Sequence, residues 1–407
     1  EDLSDYGISP QNPGDPTESD LIRRRWLDND FYGMVFSSKY THSQNWNVTF
    51  GGGLNRYDGA HFGEVIWARF AGDSEFEERY YDNDAIKTDF NVYGKAQYFF
   101  NENLSSYLDM QVRTINYEFD GVDIQNNNVV DVRGTDDIVF LNPKFGLSYL
   151  VNEGNRVFAS FGVAGKEPTR SEYVESSTAS RPDPERLYNI ETGYRGDFGQ
   201  FFVGAYGYAM LYEDQLVVTG QINDVGGVVR QNVPKSSRLG IELEGGVSIT
   251  SNLSWAANAT FSKNKIENYT EFIDDYDNGG QIERNFSDTD IALSPSIIAN
   301  SILGFSDNGL TTELTTKYVS KQYLDNTQND ARSIDPYLVN DLRISYAFTN
   351  LSFAKGITAN LMINNLLDEK YETNGYTFGY VFGGEQRFNY YYPQAGRNFL
   401  LQVKWEF

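Results

Sequence analysis

The sequence contains no cysteine and only two histidines, His42 and His61, in 407 residues. The first absence removes disulfides, thiolate metal sites and cysteine nucleophiles together. The second leaves too few imidazoles, set too far apart, for a His-rich metal site. It also leaves no credible Ser–His pair for nucleophilic catalysis. Basic residues are scarce as well: 33 Lys and Arg stand against 57 Asp and Glu, a formal net charge of −24. Nucleic acid, whose phosphates demand a basic face, is thereby excluded as a partner. No window of about 20 apolar residues exists, so no transmembrane helix is expected. The chain starts Glu-Asp, with neither Met nor an apolar signal region. That start points to a processed chain or a fragment.

Aromatics, by contrast, are abundant: 15% of the chain, with 29 Tyr and 28 Phe. Tyr in such numbers suits surfaces that are half wet and half apolar. The mean hydropathy is −0.51, yet greasy residues recur with a period of two. The closing stretch FLLQVKWEF places Phe399, Leu401, Val403, Trp405 and Phe407 on one face, and Gln402, Lys404 and Glu406 on the other. Leu239, Ile241 and Leu243 alternate with Arg238, Glu242 and Glu244. Leu342, Ile344 and Tyr346 alternate with Asp341, Arg343 and Ser345. Period two is the signature of a strand.

A soluble sandwich would produce the same alternation in strands of about 5 or 6 residues. These runs are about twice that, the length a tilted strand needs to cross a bilayer. The connections are sorted too. Short turns fall at 42–45, 101–103, 152–155, 197–199, 250–252, 306–309 and 350–355. Long polar segments fall between them, near 58–86, 120–137, 169–186, 214–234, 267–290, 324–336 and 373–389. Short turns on one side and long loops on the other are the pattern of an outer-membrane barrel. The reading is all-β: a transmembrane antiparallel β-barrel with about fifteen strands in this chain. Loops are expected outside and short turns in the periplasm. Residues 1–29, rich in Pro, Asp and Ser, read as an extracellular loop remnant, and 30–407 as barrel. A single-chain bacterial barrel has an even strand number and no open edge in lipid. At least one further strand is therefore expected from outside this chain.

Several strings carry a family resemblance. The end NYYYPQAGRNFLLQVKWEF, preceded by INNLLDEKYE, resembles the C-terminus of TonB-dependent outer-membrane receptors. NPKFGLSY (142–149), ASFGVAGKEPTR (159–170), ERLYNIETGYR (185–195) and NVPKSSRLGIELEGG (232–246) resemble successive strands of such a barrel. The stretch RRRWLDNDFYG…GGGLNRYDGAHFGEVIW resembles the Bacteroidota members. The resemblance covers nearly the whole chain. It implies a 22-stranded barrel with a plugged lumen, of which the plug and the first strands are absent from this chain. It implies an energised importer rather than an enzyme, with no cofactor. The expected cargo is a ferric siderophore. The alternatives are a SusC-like glycan or peptide importer, or a passive porin or adhesin barrel. The implied partners are the N-terminal plug with the remaining strands, as a separate chain of the same gene product, and TonB acting through the plug. Outer-membrane lipid and a surface lipoprotein complete the set.

Candidate ligand contacts follow from position. Arg170 sits where a strand reaches the loop side, and its guanidinium suits a carboxylate or catecholate. The rival role is an ion pair with Glu167 or another mouth carboxylate. Tyr57, His61 and Trp67 lie in or beside the first long segment, and Tyr376, Phe378, Tyr380 and Phe382 alternate in the last. Capture surface and interface anchor both suit such aromatics. Arg238, Glu242, Glu244, Asp341, Arg343, Lys404 and Glu406 are expected to face the lumen and the plug, because buried charges need partners. The string DDYDNGGQIERN (274–285) has calcium-loop spacing at Asp275 and Asp277. It breaks the EF-hand pattern at Gly279 and Phe286, and no metal site is assigned.

Overall fold

The computed structural model describes residues 2–125, 128–174, 181–222, 226–348, 351 and 354–407. Parts of the predicted turn at 350–355 and of the segments at 120–137, 169–186 and 214–234 lie outside the described residues. No described helix is long and apolar enough to cross a membrane. The first half of the chain carries β1 (Leu21–Ser43), β2 (Trp46–Ala68), β3 (Glu78–Phe99), β4 (Leu104–Gln125) and β5 (Asn128–Asp131). β6 (Gly134–Asn152), β7 (Asn155–Lys166), the single turn α1 (Arg170–Val174) and β8 (Glu185–Asp197) follow. Then come β9 (Phe201–Ile222), β10 (Val228–Ser248), β11 (Leu253–Asp275), β12 (Gln281–Asp290), β13 (Ile297–Asp307) and β14 (Leu310–Val319). The last are β15 (Gln322–Tyr323), β16 (Ser333–Ile334), β17 (Tyr337–Phe348), β18 (Gly356–Asn364), β19 (Glu372–Val381), β20 (Glu385–Pro393) and β21 (Asn398–Glu406). Fifteen of these strands match the alternation: fourteen are joined in pairs by the seven short connections, and β21 follows the last long one. The other six (β5, β12, β15, β16, β19 and β20) lie inside the long connections.

The chain divides into two compact units. The first comprises 1–98, 107–144 and 163–184, and its ladder runs β1–β2–β3, antiparallel throughout. The second comprises 99–106, 145–162 and 185–407. Its ladder runs β8–β9–β10–β11–β13–β14–β17–β18–β21, again antiparallel at every step. Neighbours in sequence pair in space: β1–β2, β8–β9, β10–β11, β13–β14 and β17–β18 are each an antiparallel pair. Asn–Asp chemistry stabilises the short turns: Asn101 Oδ1 accepts from the N–H of Asn103 and Leu104, and Asn308 and Gly309 take positive φ.

Outward faces are apolar and exposed. Leu239, Ile241 and Leu243 on β10, and Leu401, Val403 and Trp405 on β21, show between 42% and 69% of their surface. Contiguous exposed apolar area on this scale marks a surface made for something other than water. The buried residues instead cluster near the long connections. In the first unit, Ile115, Tyr117, Phe119, Ile138, Phe140 and Tyr173 form one core, and Leu3, Tyr6, Ile8, Val65, Tyr80 and Tyr81 another. In the second, Val217, Val233, Ile266, Tyr269 and Ile291 pack together.

Two sequence-based boundaries change. β1 starts at Leu21 rather than at residue 30, and Leu3, Tyr6 and Ile8 are buried rather than loop-like. Much of the predicted loop length is strand: β2 runs on to Ala68, β9 to Ile222, and β11 and β12 form one hairpin. Beyond the roughly 9–11 residues needed in lipid, neither face must be apolar, so the alternation fades. The backbone hydrogen bonds of the ladder still hold the strand together.

Candidate functional site

In the first unit the inner faces of β3 and β4 bring charges together with the segment that follows β7. Arg113 reaches Asp89 at 2.5 Å through Nη2 and Glu167 at 2.8 Å through Nη1. Lys87 Nζ donates to Glu167 Oε1 at 2.5 Å and lies 5.0 Å from the Tyr117 ring centroid. Two cations thus face two carboxylates, all more than three-quarters buried. Paired this way, each charge offsets part of its neighbour's desolvation cost.

Beside this network α1 begins with half a capping box: the Glu172 carboxylate accepts from the backbone N–H of Thr169 at 2.6 Å. The turn presents Tyr173 to Tyr117 and Phe119, with ring centroids 5.5 and 5.2 Å away. It also holds Arg170 inward. Arg170 Nη2 donates to Asn83 Oδ1 and lies 3.6 Å from Asp123 Oδ2. Arg170 therefore has a carboxylate partner, but that partner is Asp123; Glu167 is taken by Lys87 and Arg113. Burial pulls the guanidinium pKa down, and Asp123 opposes the shift.

Tyr57 and His61 share this neighbourhood. The Tyr57 hydroxyl donates to Asn29 Oδ1 at 2.6 Å and lies 3.3 Å from His61 Nε2. His61 is 94% buried, Asn83 is its register partner on β3, and Nδ1 has no hydrogen-bond partner among the described residues. It sits well past the part of β2 adjoining the short turn, outside the span that lipid requires. Burial, reinforced by the Arg170 charge, lowers the His61 pKa to about 4. The imidazole is thus neutral near pH 7. Together with Arg170 Nε, also buried without a partner among the described residues, the neutral imidazole offers uncommitted hydrogen-bonding capacity. Trp67 does not join them: the β1 register skips Ile66, and Trp67 is exposed.

The unfolded chain takes a His61 proton near pH 6.5, whereas the folded imidazole resists protonation until about 4. Its contribution to stability is therefore intact above 6.5 and lost as pH falls toward 4. His61→Asn should give a flatter stability curve across that window than the wild type, read by thermal unfolding in detergent at stepped pH. Equal slopes for the two proteins would contradict the burial assigned to His61.

In the second unit, Tyr376, Phe378 and Tyr380 stack across the β19–β20 hairpin on Phe388 and Tyr390. Tyr376 and Tyr390 lie nearly parallel at 5.0 Å. Such cross-strand pairs hold a hairpin in register, so these rings have a structural role of their own. A cleft of about 610 Å³ is lined by Glu191, Arg195, Arg238, Glu242 and Glu244. Glu244 accepts from the Tyr206 hydroxyl at 2.7 Å and lies 3.4 Å from Arg195. Arg238 donates to Ser294 Oγ at 2.9 Å. Asp341 accepts from the Asn365 N–H at 2.8 Å, Arg343 faces Glu313 across the ladder, and Lys404 pairs with Glu406. Sequence reasoning missed Lys87, Asp89, Arg113, Asn83 and Asp123. Lys87 and Asp89 share the parity of Asn91, Lys95 and Gln97, polar residues of β3 set opposite Phe90 and Val92, and that alternation is the signal that could have found them.

The family model described as TonB dependent receptor-like, beta-barrel, matches residues 2–366. A comparison with curated protein sequences finds no match. Among solved structures, the chain is similar to the ferric-catecholate import receptor Fiu from E. coli K12 in its closed form. The two are 15% identical, with a TM-score of 0.64, over 95% of this chain and 55% of that one. It is similar to the siderophore receptor PiuA from Acinetobacter baumannii at 16% identity and a TM-score of 0.68, over 93% and 56%. It is similar to the copper transporter OprC at 14% identity and a TM-score of 0.69, over 94% and 57%. The chain spans little more than half the length of each.

Proposed function

Since the chain belongs to the TonB-dependent receptor-like β-barrel family of the outer membrane, we propose that it is the wall and long-connection part of an energised importer whose cargo is a ferric siderophore. The observation that carries this reading is the contrast between the two faces of the wall. On β10 and β21 the outward face is apolar and exposed, while in the first unit β3, β4 and the segment after β7 hold paired, buried charges. The first suits lipid; the second suits a filled interior. In this reading the short turns face the periplasm and the long connections face outward. Tyr57, His61, Trp67 and Arg170, with Tyr376 and Tyr380, are the candidate ligand contacts. The inward charges Arg238, Glu242, Glu244, Asp341, Arg343, Lys404 and Glu406 meet a plug. That plug and the remaining strands would come from a separate chain of the same gene product, TonB would act through the plug, and a surface lipoprotein would attend the mouth. The stretch from Arg23 to Trp67 supports a Bacteroidota origin, and the modest connections favour siderophore cargo over the SusC-like branch. Named as siderophore and metal importers, the similar structures support the same cargo class.

Deleting the gene should abolish growth on one ferric siderophore as sole iron source and leave other nutrients unaffected. Uptake of radiolabelled iron from that complex should stop when the proton-motive force is collapsed. A uniform slowing of many small solutes would identify a passive pore instead.

A further inference from the structure

Six charged side chains in the second unit form a single alternating ladder across three separate connections. Arg284 on β12 donates to Glu385 on β20 through Nη2 and Nη1, at 2.6 and 3.1 Å. Glu385 Oε1 accepts from Arg387 Nε at 2.8 Å. Arg387 Nη1 donates to Glu271 Oε1 on β11 at 2.7 Å, and the same oxygen accepts from Arg332 Nη1 at 2.8 Å. Arg332 Nη1 also lies 2.7 Å from Asp325 Oδ2. Three guanidiniums and three carboxylates thus alternate, joining the connection after β11, the connection after β14 and the connection after β18. The far end is deeply buried: Glu271 and Arg332 are 7% exposed and Asp325 2%.

Backbone and amide bonds run parallel to the ladder. β11 and β19 pair in parallel at Asp274↔Tyr380 and Asp275↔Val381, whereas their pairings with β10, β12, β13 and β20 are antiparallel. The Gly383 N–H donates to Asp277 Oδ1, and Asn389 Nδ2 to the Ala331 carbonyl. The connection after β14 is not surface loop. Leu324, Ile334 and Asn326 are at most 1% exposed, and Asn326 bonds the Val218 carbonyl at 2.7 Å and the Ala292 N–H at 2.8 Å. Gly220, at φ +94°, lets that segment approach β9: a Cβ there would stand 2.8 Å from the Leu324 carbonyl oxygen.

We infer that these three connections form one body, a preformed rim with Arg332 as its keystone, rather than three loops that move independently. Arg332 is the only member of the ladder bonded to both buried carboxylates. Its removal leaves Asp325 and Glu271 facing each other without the intervening cation, and like charges in a buried site repel strongly. Loss of the keystone should therefore loosen all three connections at once. Arg284, at the exposed end, should loosen only the β12–β20 contact.

Hydrogen exchange read by mass spectrometry on the native protein in detergent tests this. For Arg332→Met, amides in 267–290, 321–336 and 372–392 should all exchange about tenfold faster or more, and amides in β13 and β14 should be unchanged. Arg284→Met should accelerate only 281–286 and 383–387. Acceleration confined to 321–336 in Arg332→Met would overturn the inference. If that variant fails to reach the membrane, the wild type is followed through a urea series. A common midpoint for the three segments supports one body, and separate midpoints overturn it.

Discussion

Arg113→Met should lower the unfolding free energy by about 3 kcal/mol, the low end of the range for removing one partner of a buried ion pair. Arg113 is the link between Asp89 and Glu167, and its side chain is 24% exposed against 8% and 12% for theirs. Without it Asp89 loses its ion-pair partner, while Glu167 keeps only Lys87. The low end applies because water reaches part of the guanidinium. Adding Asp89→Asn to Arg113→Met should recover part of the loss, because the orphaned charge is then gone. Arg133→Met is the matched control. Its partners Asp120 and Asp131 are mostly exposed, and such surface pairs contribute about 0–1 kcal/mol. Urea unfolding of the protein in detergent micelles reads all three. An Arg113→Met effect no larger than the Arg133→Met effect would mean that the inner wall of the first unit is far wetter than its packing indicates.

Val403→Arg should cost about 2–4 kcal/mol, the range for an arginine placed on the lipid face of a barrel near the bilayer midplane. Val403 lies in the middle of β21, pairs with Ala359 on β18 and is 60% exposed. In water that exposure would make the substitution nearly neutral. In lipid it makes the substitution severe, so the sign of the environment decides the result. Gln402→Arg, one residue earlier on the opposite face, loses only the 3.1 Å bond from Asn360 Nδ2 and should cost under about 1 kcal/mol. Similar costs for the two variants would show that the faces of β21 do not differ in environment.

The period-two pattern made the span-length strands legible, because lipid on one side and a polar interior on the other force alternation. Turn residues made their short connections legible for the same chain segments: Asn101, Asn152 and Asp197 all accept backbone N–H groups two residues on. The long connections were not legible. Once a strand leaves lipid, alternation stops being imposed, and β12, β19 and β20 read as polar loop although they are paired ladder. The segment after β14 misled for a different reason. It is polar in sequence, yet Asn326 and Arg332 are buried because the Val218 carbonyl and the Glu271 carboxylate, both more than 60 residues away, complete their bonds, and Arg332 in turn pairs with the buried Asp325.

The candidate site was half legible. Its position beyond a strand end placed Arg170 on the loop side, where it begins α1 just after β7, and an ion pair with a nearby carboxylate was one of its two expected roles. That position could not choose between Glu167, three residues away, and Asp123, which only the fold brings within 3.6 Å. Tyr57, His61 and Trp67 share parity in sequence, but a single bulge at Ile66 separates Trp67 from the other two. A one-residue irregularity of this kind leaves no mark in composition or period.

The central claim is that one face of each wall strand meets lipid and the other the barrel interior. The absence of cysteine allows a direct test on β21. Single cysteines at each position from 399 to 406 would be labelled with a fluorophore in the native protein reconstituted into vesicles. They would then be quenched by a nitroxide-bearing lipid and, separately, by aqueous iodide. The account predicts lipid quenching at 399, 401, 403 and 405, and none above background at 402, 404 and 406. Quenching without a period of two, or lipid quenching on the Gln402–Lys404–Glu406 face, would contradict it.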